Sequence, residues 1–180
     1  VFPKTCIIHD RHLVVSGDTN NPNTIYYSGT DDIDDFTSTG SGSIKLDDKV
    51  IGLRSFRNDL IIFCINSIYK LQNINNSSTV AVVPITKNVG CLSNASIQEF
   101  SGDLVFLSPD GVRTLAGTAR IGDVELGSVS RPIQPITNEL AENINSFVVT
   151  SAVIRRKSQY RLFYTGTTQA APDSKGIIGS

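Results

Sequence analysis

The sequence has little of several residue types that often indicate function. There is no tryptophan and no methionine among its 180 residues, and there are only two histidines and three cysteines. Because methionine is missing even at position 1, we expect a processed chain or, preferably, a fragment of a longer protein. Cys6, Cys64 and Cys91 are odd in number and far apart, which predicts reduced thiols in a reducing compartment and no disulfide framework.

The chain also lacks long apolar runs and an excess of either charge. No run approaches the roughly 20 apolar residues of a membrane-spanning helix, and the N-terminus lacks the basic and then apolar segments of a signal peptide. Lys and Arg number 16 against 17 Asp and Glu, for a net charge of −1. A neutral surface disfavours anionic membranes and non-specific nucleic-acid binding, which require a basic excess. We expect a globular protein with no membrane partner.

The sequence motifs of common enzyme classes are absent as well. There is no phosphate-binding Gly-x-x-x-x-Gly-Lys-Ser/Thr loop, no Gly-x-Gly-x-x-Gly after a strand, and no nucleophile elbow followed by an acid and a histidine. Both histidines precede every candidate serine beyond position 16. We predict no catalytic, cofactor-binding or metal-binding residues and no enzyme. Paired carboxylates of the glycosidase kind stay open, because their separation is a three-dimensional property.

A repeat is the main positive feature of the sequence. Residues 53–71 and 97–115 align without a gap, 44 positions apart, so that Phe56 falls on Phe100 and Asp59 on Asp103. Each copy contains a short strand, a turn at Asn58-Asp59 or Gly102-Asp103, a buried apolar strand, a second turn and a third strand. A meander of this period is typical of β-propeller blades.

We therefore predict an all-β fold, a β-propeller-like array of antiparallel meander blades with one short inserted helix; a β-sandwich is the alternative. The helix is expected from Ile136, Leu140 and Ile144 on one face, with Thr137 or Asn138 as its N-cap. The predicted organisation is four blade-like units, an insertion and the start of a following segment. These are units 1–36, 44–72, 90–117 and 147–166, the insertion 118–146 with the helix, and the segment 167–180.

Two clusters in the sequence contain potential metal ligands. Asp31, Asp32, Asp34 and Asp35 form an acidic loop, but the EF-hand pattern is absent. A solvated turn, with an Asp capping a short helical turn before Phe36, is favoured over a Ca²⁺ site. The other cluster, His9 with His12, is expected to point to opposite faces of a strand, which disfavours metal binding.

The third candidate is a basic group, Arg155, Arg156, Lys157 and Arg161, placed beside Tyr160 and Tyr164. Basic and aromatic residues interleaved on strands are typical of single-stranded nucleic-acid binding. A charged hairpin turning at Lys157-Ser158, which discourages edge-to-edge pairing of strands, is favoured instead.

Several segments resemble the propeller of short-tailed phage tail nozzle proteins, of the tail tubular protein B or packaged-DNA stabilisation type. The segments are Leu13–Gly17, Ile25–Phe36, Asp59–Phe63, Ser67–Leu71 and Leu107–Leu115. The resemblance implies a non-catalytic structural protein in a hexameric ring, a homo-oligomer that retains packaged DNA and conducts it during ejection without sequence-specific binding.

The same resemblance implies tail adaptor and fibre proteins as partners, and a virion protein assembled in the host cytoplasm. The chain is shorter than a complete subunit of that kind. The alternative function is a carbohydrate- or protein-binding β-propeller module, with loops at one rim as the recognition surface.

Overall fold

A computed structural model describes residues 2–116, 134–167 and 174–179. In these parts of the chain, fourteen strands form four antiparallel sheets, and an α-helix at Gln134–Glu142 lies between the third and fourth sheets in the sequence. In every sheet the strands lie side by side in chain order, so each sheet is a meander. This confirms the predicted fold class, an all-β array of propeller-like blades with an inserted helix.

The chain divides into two compact units, Val1–Cys91 and Leu92–Ser180. The first unit contains sheets 1 and 2. Sheet 1 comprises β1 (Thr5–His9), β2 (His12–Ser16), β3 (Thr24–Tyr27) and β4 (Gly42–Lys45). Sheet 2 comprises β5 (Val50–Phe56), β6 (Asp59–Cys64), β7 (Ile68–Gln72) and β8 (Ala81–Thr86).

The second unit contains sheets 3 and 4 and helix α1 (Gln134–Glu142). Sheet 3 comprises β9 (Gln98–Phe100), β10 (Asp103–Ser108) and β11 (Gly111–Thr114). Sheet 4 comprises β12 (Phe147–Ile154), β13 (Gln159–Gly166) and β14 (Lys175–Gly179). Single 3-10 turns cover Asn94–Ser96, Ile144–Ser146 and Arg155–Lys157.

Three sheets begin with a hairpin closed by two residues that both have positive φ. These pairs are Asp10-Arg11 (47°, 68°), Arg57-Asn58 (51°, 66°) and Ser101-Gly102 (52°, 76°). Such turns match the right-handed twist of the flanking strands. The predicted turns at Asn58-Asp59 and Gly102-Asp103 are one residue late, because Asp59 and Asp103 already pair across the hairpin with Phe56 and Phe100.

Each unit has its own apolar core between its two sheets. The core of the first unit consists of Val14, Ile25, Tyr27, Leu46, Val50, Leu53, Leu60, Ile62, Cys64, Tyr69, Leu71 and Ile74. The core of the second unit consists of Val105, Leu107, Val112, Leu140, Val149, Tyr160, Leu162, Tyr164 and Ile177. Full burial of one such aliphatic side chain contributes about 1.5–3 kcal/mol, so these cores stabilise the packing of sheet on sheet.

Helix α1 begins earlier than the apolar spacing predicts. Pro135 lies in its first turn, where a missing backbone N–H costs nothing. Thr137 is therefore inside the helix and donates its hydroxyl to the Gln134 carbonyl at 3.0 Å rather than capping the N-terminus. The buried face carries Thr137 and Leu140, whereas Ile136 is 41% exposed, so the prediction that Ile136 shares the buried face is wrong.

The sheets extend beyond the predicted units. The fourth strands β4 and β8 follow residues 36 and 72, where units 1–36 and 44–72 were expected to end. Strand β14 similarly falls within 167–180 and pairs with β13. Of the predicted insertion 118–146, residues 118–133 lie outside the described residues, as do residue 117 of the third unit and residues 168–173 and 180 of the last segment.

Candidate binding surfaces

The two histidines lie directly opposite each other in the first unit. They flank the two-residue turn of the β1–β2 hairpin and are register partners, so their side chains share one face of sheet 1. The expectation that His9 and His12 point to opposite faces is therefore wrong, because it placed both residues on a single strand. Both side chains are buried.

His12 joins parts of the first unit that are distant in sequence. Its Nδ1 lies 2.6 Å from the Ser28 carbonyl oxygen, and its Nε2 lies 3.0 Å from Oδ1 of Asn75 and 3.3 Å from the Thr30 hydroxyl. The Asn75 side-chain amide in turn donates to the Asp10 carboxylate. This network fixes the β7–β8 loop against the β1–β2 turn and the start of the β3–β4 loop.

His9 makes a separate contact at the same end of the unit. Its Nδ1 lies 2.8 Å from the hydroxyl of Ser55, on β5. Burial lowers the pKa of His9 from its ordinary value of 6.5, more than the opposing charges of Asp10 and Asp59 raise it. The neutral imidazole is thus favoured in the folded protein.

The acidic loop is exposed, and part of it is engaged in local hydrogen bonds. Asp31 pairs with Arg11 at 2.8 Å. Asp35 accepts from the Thr37 backbone N–H at 2.6 Å and the Ser38 N–H at 3.1 Å, so it caps a bend that includes and follows Phe36 rather than a helical turn before it. Hydrogen bonds from Thr37, and secondarily from Ser38, lower the pKa of Asp35. Within the described ranges, no group of three or more His, Cys, Asp or Glu side chains is placed to hold a metal ion.

The face of sheet 1 directed away from the core of the first unit is apolar over β1, β2 and part of β3, whereas β4 adds Ser43 and Lys45 to it. We call it the outer face of sheet 1, and it is formed by Cys6, Ile8, Leu13, Val15 and Tyr26, which pair across β1, β2 and β3. It carries a hollow of about 400 Å³ lined by Pro3, Leu13, Val15, Tyr26 and Phe36. Ile8 beside it is 63% exposed. None of the described residues that line this hollow is charged.

Sheet 4 has a comparable outer face, directed away from the core of the second unit. It carries Val148, Phe163 and Ile178, which are 57%, 39% and 58% exposed. Arg161 shares this face, since it pairs directly with Ile178 and with Ala152. The sequence did not single out either outer face, because the apolar side chains on each are separated in the chain and meet only through strand pairing.

The basic hairpin closes with four residues rather than a tight turn at Lys157-Ser158. Ile154 pairs with Gln159, and Ser158 adopts left-handed backbone with φ 48°. The side chains of Arg155, Arg156 and Lys157 are exposed. A cleft of about 320 Å³ separates this hairpin from the β9–β10 turn. Its lining consists of Glu99, Phe100, Ser101, Gly102, Val153, Arg155 and Ser158.

The second unit also contains a buried arginine that sequence reasoning did not single out. Arg113 on β11 is almost completely buried, and its Nε donates to Asp110 at 2.7 Å. Burial alone would raise the pKa of Asp110, but the hydrogen bonds from Arg113 and Ser108 and the Arg113 charge outweigh it and lower that pKa. Arg113 holds the β10–β11 turn in place and is not presented to solvent.

No family model matches the sequence, and no curated protein matches it. Three solved structures are similar along nearly the whole chain at low identity. The N-terminal domain of Nup159 has a TM-score of 0.47 and 11% identity and is matched over 96% of this chain and 42% of its own. Two structures of Hsv2 from Kluyveromyces lactis have TM-scores of 0.40 and 0.39, identities of 11% and 14%, and are matched over 98% of this chain.

The chain spans 42%, 60% and 61% of the lengths of these three structures. The tail-nozzle role stays a prediction. The fold class rests on the four sheets themselves. The part of the chain that the structure describes contains no helix of the length and apolarity needed to cross a membrane.

Proposed function

We propose that the chain is a non-catalytic, β-propeller-like protein-binding module that joins a partner by packing sheet against sheet. The observation that carries the proposal is the outer face of sheet 1, with its uncharged hollow of about 400 Å³. Val15 is buried in this face, but Ile8 and Phe36 are 63% and 38% exposed, and exposed apolar patches mark protein interaction sites in soluble proteins.

The two cores of the chain provide the template for the partner. In each unit, alternate apolar residues of one meander sheet pack on those of the next. The outer face of sheet 1 repeats that alternation, with Ile8 and Leu13 paired and Val15 and Tyr26 paired. A twisted sheet with an apolar face is therefore the partner that fits, since face-to-face packing keeps side chains interdigitated.

The carbohydrate-binding alternative has less support. Recognition of sugars at a propeller rim needs aromatic or polar side chains exposed at equivalent positions in successive blades. Tyr69 and Arg113 are equivalent in the repeat, and both are buried. A subunit of a phage tail nozzle is one setting for the proposed module, and that role rests on the sequence resemblance alone.

Site-specific photo-crosslinking tests the proposal. A benzophenone amino acid at position 8 lies on the outer face of sheet 1, and one at position 145 lies on an exposed turn of the second unit. When the 180-residue chain is expressed in cells, the probe at position 8 is expected to give adducts that mass spectrometry maps to strands of a protein partner. Adducts no more frequent than at position 145, or mapped only to loops, would overturn the proposal.

A further inference from the structure

We infer that the outer face of sheet 1 binds the outer face of sheet 4 of a second copy of this chain, head to tail. The inference rests on the proposed function and names the partner. Each chain carries one surface of each kind: the apolar hollow on sheet 1 and the row of Val148, Phe163 and Ile178 on sheet 4. Both are faces of antiparallel meanders, and on sheet 4 the three exposed apolar side chains come from β12, β13 and β14 in turn.

The charges beside the two faces are complementary. The acidic loop adjoins the outer face of sheet 1, because Phe36 lines the hollow immediately after Asp35. Asp32 and Asp34 of this loop are exposed. The outer face of sheet 4 contains Arg161 and is borne by β12 and β13, whose connecting turn carries three exposed cations. These are Arg155, Arg156 and Lys157.

The two charged segments lie at corresponding ends of their sheets. In the first unit the β1–β2 and β5–β6 hairpins turn at the same end, as the contact between His9 and Ser55 requires. Asp31 of the acidic loop lies at that end too, paired with Arg11 of the β1–β2 turn. In the second unit the β9–β10 and β12–β13 hairpins also turn together, since both line one cleft.

Within each unit, the two packed sheets have their hairpin turns at the same end. If sheet 4 of one copy packs on sheet 1 of another in this relative orientation, the basic turn lies beside the acidic loop. The same packing brings the two apolar faces together. A second copy thus offers exposed apolar side chains to the outer face of sheet 1 and a basic turn to its acidic loop. A contact between two different surfaces is heterologous. A chain that is bound through one of the two outer faces therefore still has its other outer face free.

Sedimentation velocity tests the inference with the 180-residue chain. We expect association that increases from about 1 to about 100 μM, as for interfaces of modest area, and that weakens with salt. Ile8→Glu and Ile178→Glu each place a charge on one exposed face and should each give a monomer. Ile136→Glu, an exposed apolar position outside both faces, should leave association unchanged.

The decisive sample is an equimolar mixture of the Ile8→Glu and Ile178→Glu variants. Each retains the face that the other has lost, so a head-to-tail contact predicts a one-to-one heterodimer from two monomeric proteins. A charge-reversal pair gives an independent check. Asp32→Lys with Asp34→Lys, and Arg155→Glu with Arg156→Glu, should each weaken self-association at least tenfold, and mixing the two proteins should restore binding.

The outcomes separate the inference from the proposed function. A chain that stays monomeric throughout, a mixture that stays monomeric, or self-association that survives Ile8→Glu would each overturn the head-to-tail contact. If position 8 still crosslinks to strands of a different protein, the proposed function stands and only the second copy is excluded.

Alkylation of Cys6, on the outer face of sheet 1, should slow as the wild-type chain is concentrated.

Discussion

The imidazole Nε2 of His12 lies 3.0 Å from the side-chain oxygen of Asn75, 63 residues away in the sequence. His12 belongs to sheet 1 and Asn75 to the loop after β7 of sheet 2. The contact thus holds together the two sheets of the first unit at the end where their turns and loops gather. Buried polar groups need such partners, because an unsatisfied one costs about 1–3 kcal/mol.

Asn75→Ala should lower the free energy of unfolding of the first unit by about 1–2 kcal/mol, since it removes the acceptor facing His12 and the donor facing Asp10. Asn145→Ala, at an exposed position in the second unit, is the matched control and should change stability by less than about 0.5 kcal/mol. Urea denaturation measures both. Equal stability of the two variants would contradict a structural role for the His12–Asn75 contact.

Stability should also fall because of His9 as the pH is lowered below about 6.5, the ordinary pKa of histidine. Burial lowers the pKa of His9 below 6.5 in the folded state, so below pH 6.5 the unfolded chain takes up a proton that the folded chain resists. The contribution of the neutral His9 imidazole to the free energy of unfolding is fully present above the pKa of His9 in the unfolded chain. It is lost as the pH falls towards the pKa of His9 in the folded protein. His9→Asn keeps a polar atom near Ser55 and removes the titration. Denaturation at several pH values should show a shallower loss for the variant; parallel curves would exclude His9 as the source.

The ion pair in the β10–β11 turn is expected to stabilise the second unit. Asp110→Asn leaves the buried Arg113 guanidinium without its carboxylate partner, which should cost about 1–2 kcal/mol, less than a fully buried pair because Asp110 is half-exposed. Because the pKa of Asp110 is lowered, its contribution is present above the unfolded pKa of about 4 and is lost as pH falls through the folded value. Asp32→Asn is the control, measured by thermal unfolding at pH 7 and pH 3. If Asp110→Asn loses no more stability at pH 7 than Asp32→Asn, the ion pair between Asp110 and Arg113 does not stabilise the second unit.

A glycine series separates close packing from backbone conformation. A side chain at Gly90 would meet the backbone of Ile65 and Asn66, whereas Gly102 has open space but φ +76°, and Gly179 has open space. Gly90→Ala should cost about 2–3 kcal/mol through overpacking. Gly102→Ala should lower the free energy of unfolding by about 1 kcal/mol, because alanine disfavours the left-handed backbone at this position. Gly179→Ala should change the free energy of unfolding little. Guanidinium denaturation gives the order, and a Gly90→Ala variant as stable as Gly179→Ala would contradict this packing.

The three cysteines should differ sharply in reactivity. Cys6 is exposed, and Cys64 and Cys91 are buried. Burial raises the pKa of Cys64 to about 12, and the thiolate is the reactive form. A chromogenic disulfide reagent at pH 8 should modify one thiol in the native protein and three after denaturation. Cys6→Ser should abolish the native reaction, and a fast second thiol would show that the core of the first unit opens.

Local features of the fold were predictable, and long-range ones were not. The continuous apolar strands Asp59–Cys64 and Asp103–Ser108 and the helix around Leu140 follow from short-range pattern. The turns were misplaced by one residue because Asp is typical of turns, whereas Asp59 and Asp103 are the first residues of β6 and β10. Strand β4 was hidden because it begins inside a Gly/Ser-rich run, which has little strand propensity.

The candidate surfaces depended on strand pairing. Ile8 and Leu13 became neighbours on one face only through the register of β1 and β2. The partner of His12 lies in another sheet, and no local pattern indicates which of several asparagines it is. The charged segments were recognised from sequence, but their relation to apolar faces required the topology of each sheet.

The order of strands within the sheets has a consequence for synthesis. Every described strand pairs with the strand that precedes or follows it in the sequence. The described sheets can therefore form without a strand from a distant, later-synthesised segment. Contacts between neighbouring segments close small loops and form quickly. A nascent chain can therefore complete one sheet before the next is translated, which limits the time that unpaired strand edges are open to aggregation.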